Sequence, residues 1–226
     1  MGGVDRVAAA RTMSMWAVAL LPLALYLLWI GVMHLRRRPT LVSGSRDILA
    51  VFLAAFGAVA LGPMELFMPE AAAVRFGPLA WLQLVILYVL NVALVVLIMR
   101  PRAVLYNMTR EQARTALARV LEQLGAPAVW AGDTLAVPAW ELEVRLDQSG
   151  ILRQVQLISV GPRTSYEGWV RLREALRHEI RGTVAERDRR AAILVAIAAA
   201  LLLLSAAVIA FDPRAVADAL REKLRW

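Results

Sequence analysis

Four long apolar stretches constrain this chain more than any other feature of its sequence. They lie at about 15–33, 48–67, 79–99 and 191–211. Each is close to the ~20 residues that an α-helix needs to cross ~30 Å of hydrocarbon. Of the 226 residues, 60% are hydrophobic, which exceeds the ~45–50% usual in soluble domains. The pattern therefore predicts a polytopic α-helical membrane protein with four transmembrane helices in a lipid bilayer.

One polar segment interrupts this pattern between the third and fourth apolar stretches. We expect it to fold as a domain of its own, because its charged and apolar residues follow regular periods. The last residues of the chain place Val216, Leu220 and Leu224 at every fourth position, which is typical of an interfacial amphipathic helix. The expected organisation is a three-helix transmembrane region at 1–99, an α+β domain at 100–190, a fourth transmembrane helix at 191–211 and an amphipathic tail at 212–226.

Two helices and several strands are predicted in the 100–190 segment. Thr109 and Gln112 have the spacing of a capping box, so a helix is predicted over 110–124. Thr164 and Glu167 repeat that spacing before a second helix. Apolar and charged residues alternate over 140–147, which favours a half-buried antiparallel strand. Further strand signals lie at 103–107, 128–130, 134–137 and 151–160. We expect a small α+β domain of order β-α-β-β-β-α, with both helices on one sheet face.

Positive charge is concentrated next to the apolar stretches. Three arginines follow the first stretch and three more precede the fourth. Because basic loops stay in the cytoplasm, we expect the 100–190 domain to be cytoplasmic and both termini to lie outside a bacterial inner (plasma) membrane. These arginines would also attract anionic lipid headgroups. The membrane-proximal basic residues are Arg36, Arg37, Arg38, Arg187, Arg189 and Arg190.

Small residues recur at every fourth position in two of the apolar stretches. Such stripes let two helix backbones approach closely, so we interpret them as helix-packing faces. The rival explanation is that alanine is simply abundant in this chain. The residues concerned are Ala50, Ala54, Ala58 and Gly62 in the second stretch, and Ala192, Ala196 and Ala200 in the fourth.

Two polar residues fall within the apolar stretches, and such residues are candidates for function. Glu65 lies near the expected outer end of the second stretch, where its carboxylate would also reach water. Asn91 lies near the middle of the third stretch, where its amide needs a hydrogen-bond partner on another helix. We prefer a purely structural role for both residues, and a place in a transport path is the alternative.

Residue patterns typical of enzymes are missing from the sequence. The chain has no cysteine, which excludes disulfides and thiolate metal sites. His178-Glu179 begins like a zinc-protease motif, but position 182 is Gly rather than His. Glu141, Glu143 and Asp147 alternate with Arg145, as on a solvated sheet face. We therefore expect no enzymatic activity, no catalytic or cofactor-binding residues and no metal site.

The net charge of +8 raises nucleic-acid binding as a possibility. We do not expect nucleic acid as a partner, because aromatic stacking residues are not interleaved with the arginines. The sequence instead favours a non-enzymatic integral membrane protein whose cytoplasmic domain is a protein- or lipid-interaction module of a membrane complex or scaffold. A protein partner or a second copy of the chain would bind it. The alternative is a small transporter or channel component gated by the cytoplasmic domain.

Overall fold

The computed structural model describes residues 12–66, 78–148, 152–161, 165–185 and 188–224, and it leaves the side chains of 65, 66, 78 and 219–224 undescribed. The chain divides into two compact units. The first, called here the helical unit, comprises Met1–Trp29, Leu49–Leu97 and Leu194–Trp226. The second, the sheet unit, comprises Ile30–Ile48 and Ile98–Ile193. Each unit is described separately below.

The helices are α1 (12–19), α2 (Leu21–Leu35), α3 (Gly44–Leu61), α4 (Pro63–Leu66), α5 (Pro78–Ile98), α6 (Arg110–Gln123), α7 (Tyr166–Ile180), α8 (Ala191–Phe211) and α9 (Pro213–Leu224). The strands are β1 (Thr40–Ser43), β2 (Arg102–Tyr106), β3 (Val129–Ala131), β4 (Thr134–Val137), β5 (Leu142–Asp147) and β6 (Gln154–Ser159).

Within the part of the chain that the structure describes, four helical stretches are long and apolar enough to cross a membrane. They are Thr12–Leu35, which combines α1 and α2, then Gly44–Leu61, Leu79–Ile98 and Ala191–Phe211. The prediction of four long apolar helices is thus confirmed, and these candidate spans imply a lipid bilayer. α1 and α2 meet at a turn at Leu20, two residues before Pro22. Pro22 has no N–H to donate, which weakens the helical hydrogen bonding at this point.

The strands form one antiparallel sheet in the order β1-β2-β6-β5-β4-β3. Two features differ from the predicted order β-α-β-β-β-α. Four strands rather than three lie between α6 and α7. In addition, β1 comes from the segment between the first two spans, which the sequence analysis treated as a loop. β1 has only four residues and pairs with β2 along its whole length, from Thr40 opposite Tyr106 to Ser43 opposite Ala103. Its strand conformation therefore depends on a partner that is distant in sequence.

Local signals at the helix starts had mixed outcomes. The capping box at Thr109 and Gln112 is confirmed, with both of its hydrogen bonds present. The second capping box was predicted at Thr164, which lies outside the described residues. The N-cap of α7 is instead Ser165, whose hydroxyl accepts a hydrogen bond from the Gly168 N–H at 3.2 Å.

The start of β5 also differs from the sequence prediction, which placed the strand at 140–147. Pro138–Trp140 form a single 3₁₀ turn, and Glu141 has a left-handed backbone conformation with φ of 46°. Because Glu141 leaves the extended conformation, regular alternation begins only at Leu142. Glu141 consequently does not belong to the strand that carries Glu143 and Asp147.

The core of the sheet unit lies between one face of the sheet and the helices α6 and α7. Leu105, Leu117, Leu157 and Leu176 are all at most 2% exposed within it. On the opposite face, Met33 at the end of α2 packs with Val104 and Tyr106 of β2 and with the half-buried Val42 of β1. The strands β4, β5 and β6 have partly or fully exposed side chains on this second face.

Candidate interaction surfaces

Two groups of arginines that the sequence placed in separate loops lie together in the sheet unit. The Ala185 N–H donates a hydrogen bond to the Arg37 carbonyl at 2.9 Å, and the Asp188 N–H donates to the His34 carbonyl at 3.4 Å. These bonds join the end of α2 to the turn before α8. The surface formed there, called here the basic junction, consists of the exposed side chains of Arg36, Arg37, Arg38, Arg189 and Arg190. Arg187, predicted to belong with them, lies outside the described residues.

Buried polar groups fix the backbone of the basic junction. Asn107 has a left-handed conformation, with φ of 63°, and its side-chain amide donates to the Arg36 carbonyl. The Asp188 carboxylate accepts hydrogen bonds from the Arg153 N–H at 3.1 Å and from the Arg190 N–H at 3.0 Å. The Tyr106 hydroxyl donates to Asp47. The backbone that carries these arginines therefore makes hydrogen bonds to buried polar groups of the sheet unit.

His34 lies in the middle of this buried arrangement and is 0% exposed. Its ring makes an edge contact with Tyr106, with 5.4 Å between the ring centroids. Neither ring nitrogen has a hydrogen-bond partner among the described residues. A buried polar group without a partner costs ~1–3 kcal/mol. The sequence analysis overlooked His34, Asn107 and Asp188, because each is an isolated polar residue and no spacing links them.

The basic junction is suited to electrostatic binding of anions. Its five arginines converge from two chain segments, while Asp188 is turned inward and is only 6% exposed. Anionic lipid headgroups attract juxtamembrane basic residues with ~1 kcal/mol for each residue near the surface. Its position beside the ends of two candidate spans fits such a role.

A second surface lies on the sheet face that α6 and α7 do not cover. It is called here the open sheet face and consists of Ala136, Glu143, Arg145, Asp147, Gln156 and Ile158. The antiparallel register places Arg145 opposite Ile158, Asp147 opposite Gln156 and Glu143 opposite Ala136. Glu143 and Arg145 are exposed, and the other four are half-buried. One arginine against two acidic residues gives a formal charge of 1 − 2 = −1.

A polar cleft of about 240 Å³ lies near the start of α7, lined by Trp140, Glu141 and Arg171 among others. Its shape follows from packing, because a β-carbon on Gly168 would come within 2.7 Å of the Trp140 carbonyl oxygen. Arg171 is already paired with Glu167 at 2.6 Å. Two charged groups of this cleft, Arg171 and Glu167, thus pair with each other, and we assign the cleft no binding role.

The small residues of α3 are divided between buried and half-buried positions. Ala54 is 3% exposed, whereas Ala50, Ala58 and Gly62 are half-buried. α3 also approaches α1 closely at Gly57, which belongs to neither predicted stripe. A β-carbon there would lie 2.1 Å from the Ala19 carbonyl oxygen, so the backbones of α1 and α3 touch at this residue.

On α8, the predicted stripe of small residues lies on a different side of the helix from the buried residues. Ala192, Ala196 and Ala200 are exposed, whereas Ala191 and Ala198 are 0% exposed and Ser205 is 3% exposed. The buried residues recur at every seventh position. The exposed stripe is available to the lipid or to another protein, and its role in helix packing stays a prediction.

The two polar residues predicted within the spans have different environments. Asn91 is exposed on α5. Glu65 lies in α4, but its side chain is among those not described. Nearby in the helical unit, the Tyr88 hydroxyl donates a hydrogen bond to the Phe52 carbonyl at 2.7 Å and joins α5 to α3.

Within the described ranges there is no group of three or more His, Cys, Asp or Glu side chains placed to hold a metal ion. Comparisons with protein-family models, with curated proteins and with solved structures found no match to this chain. The chain is therefore classified by its architecture alone. It combines four candidate membrane-spanning helices with a unit built on a six-stranded antiparallel sheet.

Proposed function

We propose that this chain is a non-enzymatic integral membrane protein, a subunit or scaffold of a membrane complex, and that its sheet unit binds a protein partner through the open sheet face. The observation that carries the proposal is that the two faces of the sheet are buried to different extents. Helices α6 and α7 bury the side chains that β2, β4, β5 and β6 direct towards them, and the end of α2 covers the β1–β2 part of the other face. The remaining part presents charged, amide and apolar side chains side by side on three paired strands.

The composition of the open sheet face favours a protein over a lipid surface or nucleic acid. Its charged residues are of both signs, and the half-buried Arg102 of β2 lies opposite Ile158, so this face forms no basic patch for anionic headgroups or phosphates. Ala136 and Ile158 add apolar area on either side of the charged residues of β5, and a surface that mixes apolar and polar area is typical of protein–protein contacts. Anionic lipid is expected to interact with the basic junction instead, where five arginines are exposed.

We further propose that the sheet unit is cytoplasmic and that the membrane is a bacterial inner membrane. The support is the basic junction, since arginines concentrated at the ends of spans favour the cytoplasmic side. Reporter fusions inserted near residue 150 should have cytoplasmic activity, and a fusion at residue 226 should have external activity. A cytoplasmic C-terminus would contradict the four-span arrangement.

Charge reversal on the open sheet face tests the partner. Arg145→Glu reverses the charge of the exposed arginine of this face, and Glu122→Arg changes an exposed residue of α6 as the matched control. Full-length protein purified in mild detergent should hold one protein at a fixed stoichiometry in the wild type and in Glu122→Arg, and lose it in Arg145→Glu. A photo-crosslinking residue at position 156 should form an adduct with that same protein. Retention of the protein in both variants, without an adduct, would reject the assignment.

The second candidate function is a small transporter or channel component gated by the sheet unit. Asn91 favours it, because an exposed amide near the middle of a span is costly in lipid and would be satisfied along a polar path between several copies. Reconstitution into liposomes separates the two functions. Conductance by a tight homo-oligomer, abolished in Asn91→Leu, would support the transporter over the scaffold.

A further inference from the structure

Helix α5 packs within the helical unit through one side only. Val92 is buried on that side, and the Tyr88 hydroxyl donates a hydrogen bond to the Phe52 carbonyl at 2.7 Å. Leu87 and Leu90 are both at least 60% exposed. Successive residues of an α-helix are turned by ~100°, which places these two leucines on the side away from Val92. The described helices of the helical unit therefore leave this side of α5 uncovered.

Two amide side chains lie on the uncovered side of α5. Gln83 and Asn91 are both exposed, as are Leu87 between them and Leu94 beyond Asn91. Residues three or four apart are neighbours on a helix surface, so these four residues form one stripe along α5, called here the amide stripe. Neither amide makes a hydrogen bond to another described residue. The sequence indicated Asn91 alone, because only the structure places Gln83 on the same side of α5.

The depth of Asn91 in its span makes an unpaired amide unfavourable. Asn91 lies 91 − 79 = 12 residues after the start and 98 − 91 = 7 residues before the end of the candidate span Leu79–Ile98. At ~1.5 Å per residue these separations are ~18 Å and ~10 Å, so the short side chain reaches neither boundary of the hydrocarbon. An amide in hydrocarbon requires a hydrogen-bond partner, and in membranes that partner is typically a polar side chain of another helix.

We propose that the amide stripe is the contact between two copies of this chain, with α5 of one copy packed parallel to α5 of the other. A carboxamide has both donors and an acceptor, so two asparagines related by a two-fold axis donate to and accept from each other. Copies inserted in the same orientation bring Asn91 opposite Asn91 and Gln83 opposite Gln83.

A second copy fits this stripe better than a lipid or an unrelated protein. Lipid acyl chains have no hydrogen-bonding group at the depth of Asn91. An unrelated helix would need polar side chains at two depths ~12 Å apart, whereas a second copy has them by identity. This pairing goes beyond the binding of a partner at the open sheet face. It also differs from a transport path, because the paired amides face each other rather than water.

Cysteine crosslinking tests which side of α5 is paired, because the chain has no cysteine of its own. Leu87→Cys places a thiol in the amide stripe. Val89→Cys is the control, since Val89 is 58% exposed, differs in depth by only ~3 Å and lies ~160° around the helix from Leu87. After oxidation of the full-length protein in liposomes, Leu87→Cys should form a disulfide-linked dimer. Val89→Cys should form about tenfold less, because its thiols are too far apart.

Removal of the amide tests the hydrogen bonds of the pair. Asn91→Leu should raise the dissociation constant of the dimer about tenfold, as expected when a pair of interhelical amide bonds is lost. Asn91→Gln keeps a carboxamide and should restore most of the affinity, and Val89→Leu should leave it unchanged. The measurement is Förster transfer between labelled full-length chains in liposomes at increasing dilution in lipid.

Equal crosslinking of Leu87→Cys and Val89→Cys would overturn the pairing through this side of α5. An unchanged dissociation constant in Asn91→Leu would overturn the role of the amide. A conducting oligomer of three or more copies would also overturn the pair, because its amides would then line a path. The crosslinking variants keep both amides, so they decide the proposal even if Asn91→Leu fails to fold. None of these outcomes depends on the open sheet face, so the scaffold function is tested separately.

Discussion

The two units of this protein use apolar residues in opposite ways. In the sheet unit, Leu105, Leu117 and Leu176 are completely buried between the sheet and its helices. In the helical unit, Leu53 is 72% exposed and Leu97 is 82% exposed, although both belong to candidate spans. Water drives the first group together, whereas lipid solvates the second group as well as protein does. Burial of large apolar side chains therefore stabilises the sheet unit, and close contact between small residues and backbones holds the helical unit.

The largest effect should come from emptying the core of the sheet unit. Trp169 of α7 is 5% exposed, and Trp169→Ala should lower the free energy of unfolding by about 3–5 kcal/mol, because it removes a large buried ring and leaves a cavity. The measurement is denaturant unfolding of the full-length protein in detergent, monitored by circular dichroism. Tyr166→Ala, at a side chain that is 74% exposed on the same helix, should change the free energy by less than about 0.5 kcal/mol. Equal effects of the two changes would mean that α7 is not packed as described.

Gly57 provides the matching test in the helical unit. Gly57→Ala should destabilise the protein by about 2–3 kcal/mol, because the added methyl group meets the Ala19 backbone at 2.1 Å and the helices must separate. Ala58→Leu, at a neighbouring half-buried position, is the control and should cost less. Thermal unfolding in detergent compares the two variants. A larger loss at Ala58 would show that α3 packs through the predicted stripe of Ala50, Ala54, Ala58 and Gly62 rather than through Gly57.

A smaller effect is expected from the buried polar groups below the basic junction. Asp188→Ala removes the acceptor of the Arg153 and Arg190 N–H groups and should cost about 1–2 kcal/mol. Asp147→Ala removes a carboxylate of the open sheet face and should be nearly neutral for stability. The measurement is again denaturant unfolding of the full-length protein. If both changes are neutral, the junction does not depend on its buried hydrogen bonds.

Most helices and strands of the sheet unit could be predicted, because apolar and polar residues recur along them at regular spacing. Alternation placed β5 to within two residues, and the spacing of Thr109 and Gln112 located the start of α6. β1 could not be found in this way, since four residues carry too little pattern and the strand exists only through its pairing with β2. The buried arrangement of His34, Asn107 and Asp188 was equally hidden, because it joins residues from three distant segments.

In the helical unit the sequence predicted the spans but not the faces by which they pack. A helix that is apolar all round has no polar side to mark its outside. Small residues were the remaining sequence signal for a packing face. Alanine is so frequent in these spans that it forms several stripes, and the sequence does not distinguish the stripe that packs. Ala54 of the α3 stripe is buried, but the close contact lies at Gly57, which belongs to no repeat.

The smallest effect on the stability of the single chain is expected at Ala196. This residue is exposed on α8, whereas Ala198, two positions away, is 0% exposed. Ala198→Leu should destabilise the protein by about 1–3 kcal/mol through overpacking, and Ala196→Leu should change unfolding by less than about 0.5 kcal/mol. If the predicted stripe is a packing face, Ala192, Ala196 and Ala200 contact a helix of a second copy of the chain. Ala196→Leu then changes the oligomeric state rather than the stability of the single chain.

Light scattering and crosslinking in mild detergent measure that consequence directly. Under the packing hypothesis, Ala196→Leu shifts the protein from an oligomer towards the monomer while leaving the unfolding of each chain unchanged, since bulk on the stripe keeps two backbones apart. Ile193→Leu, at a neighbouring exposed position outside the stripe, should leave the assembly intact. If Ala196→Leu and Ile193→Leu both leave the assembly unchanged, the stripe faces lipid. In that case the exposed small residues of α8 contact lipid, as the exposed leucines of the helical unit do. The small residues of α8 then contribute to packing only at the buried positions Ala191 and Ala198.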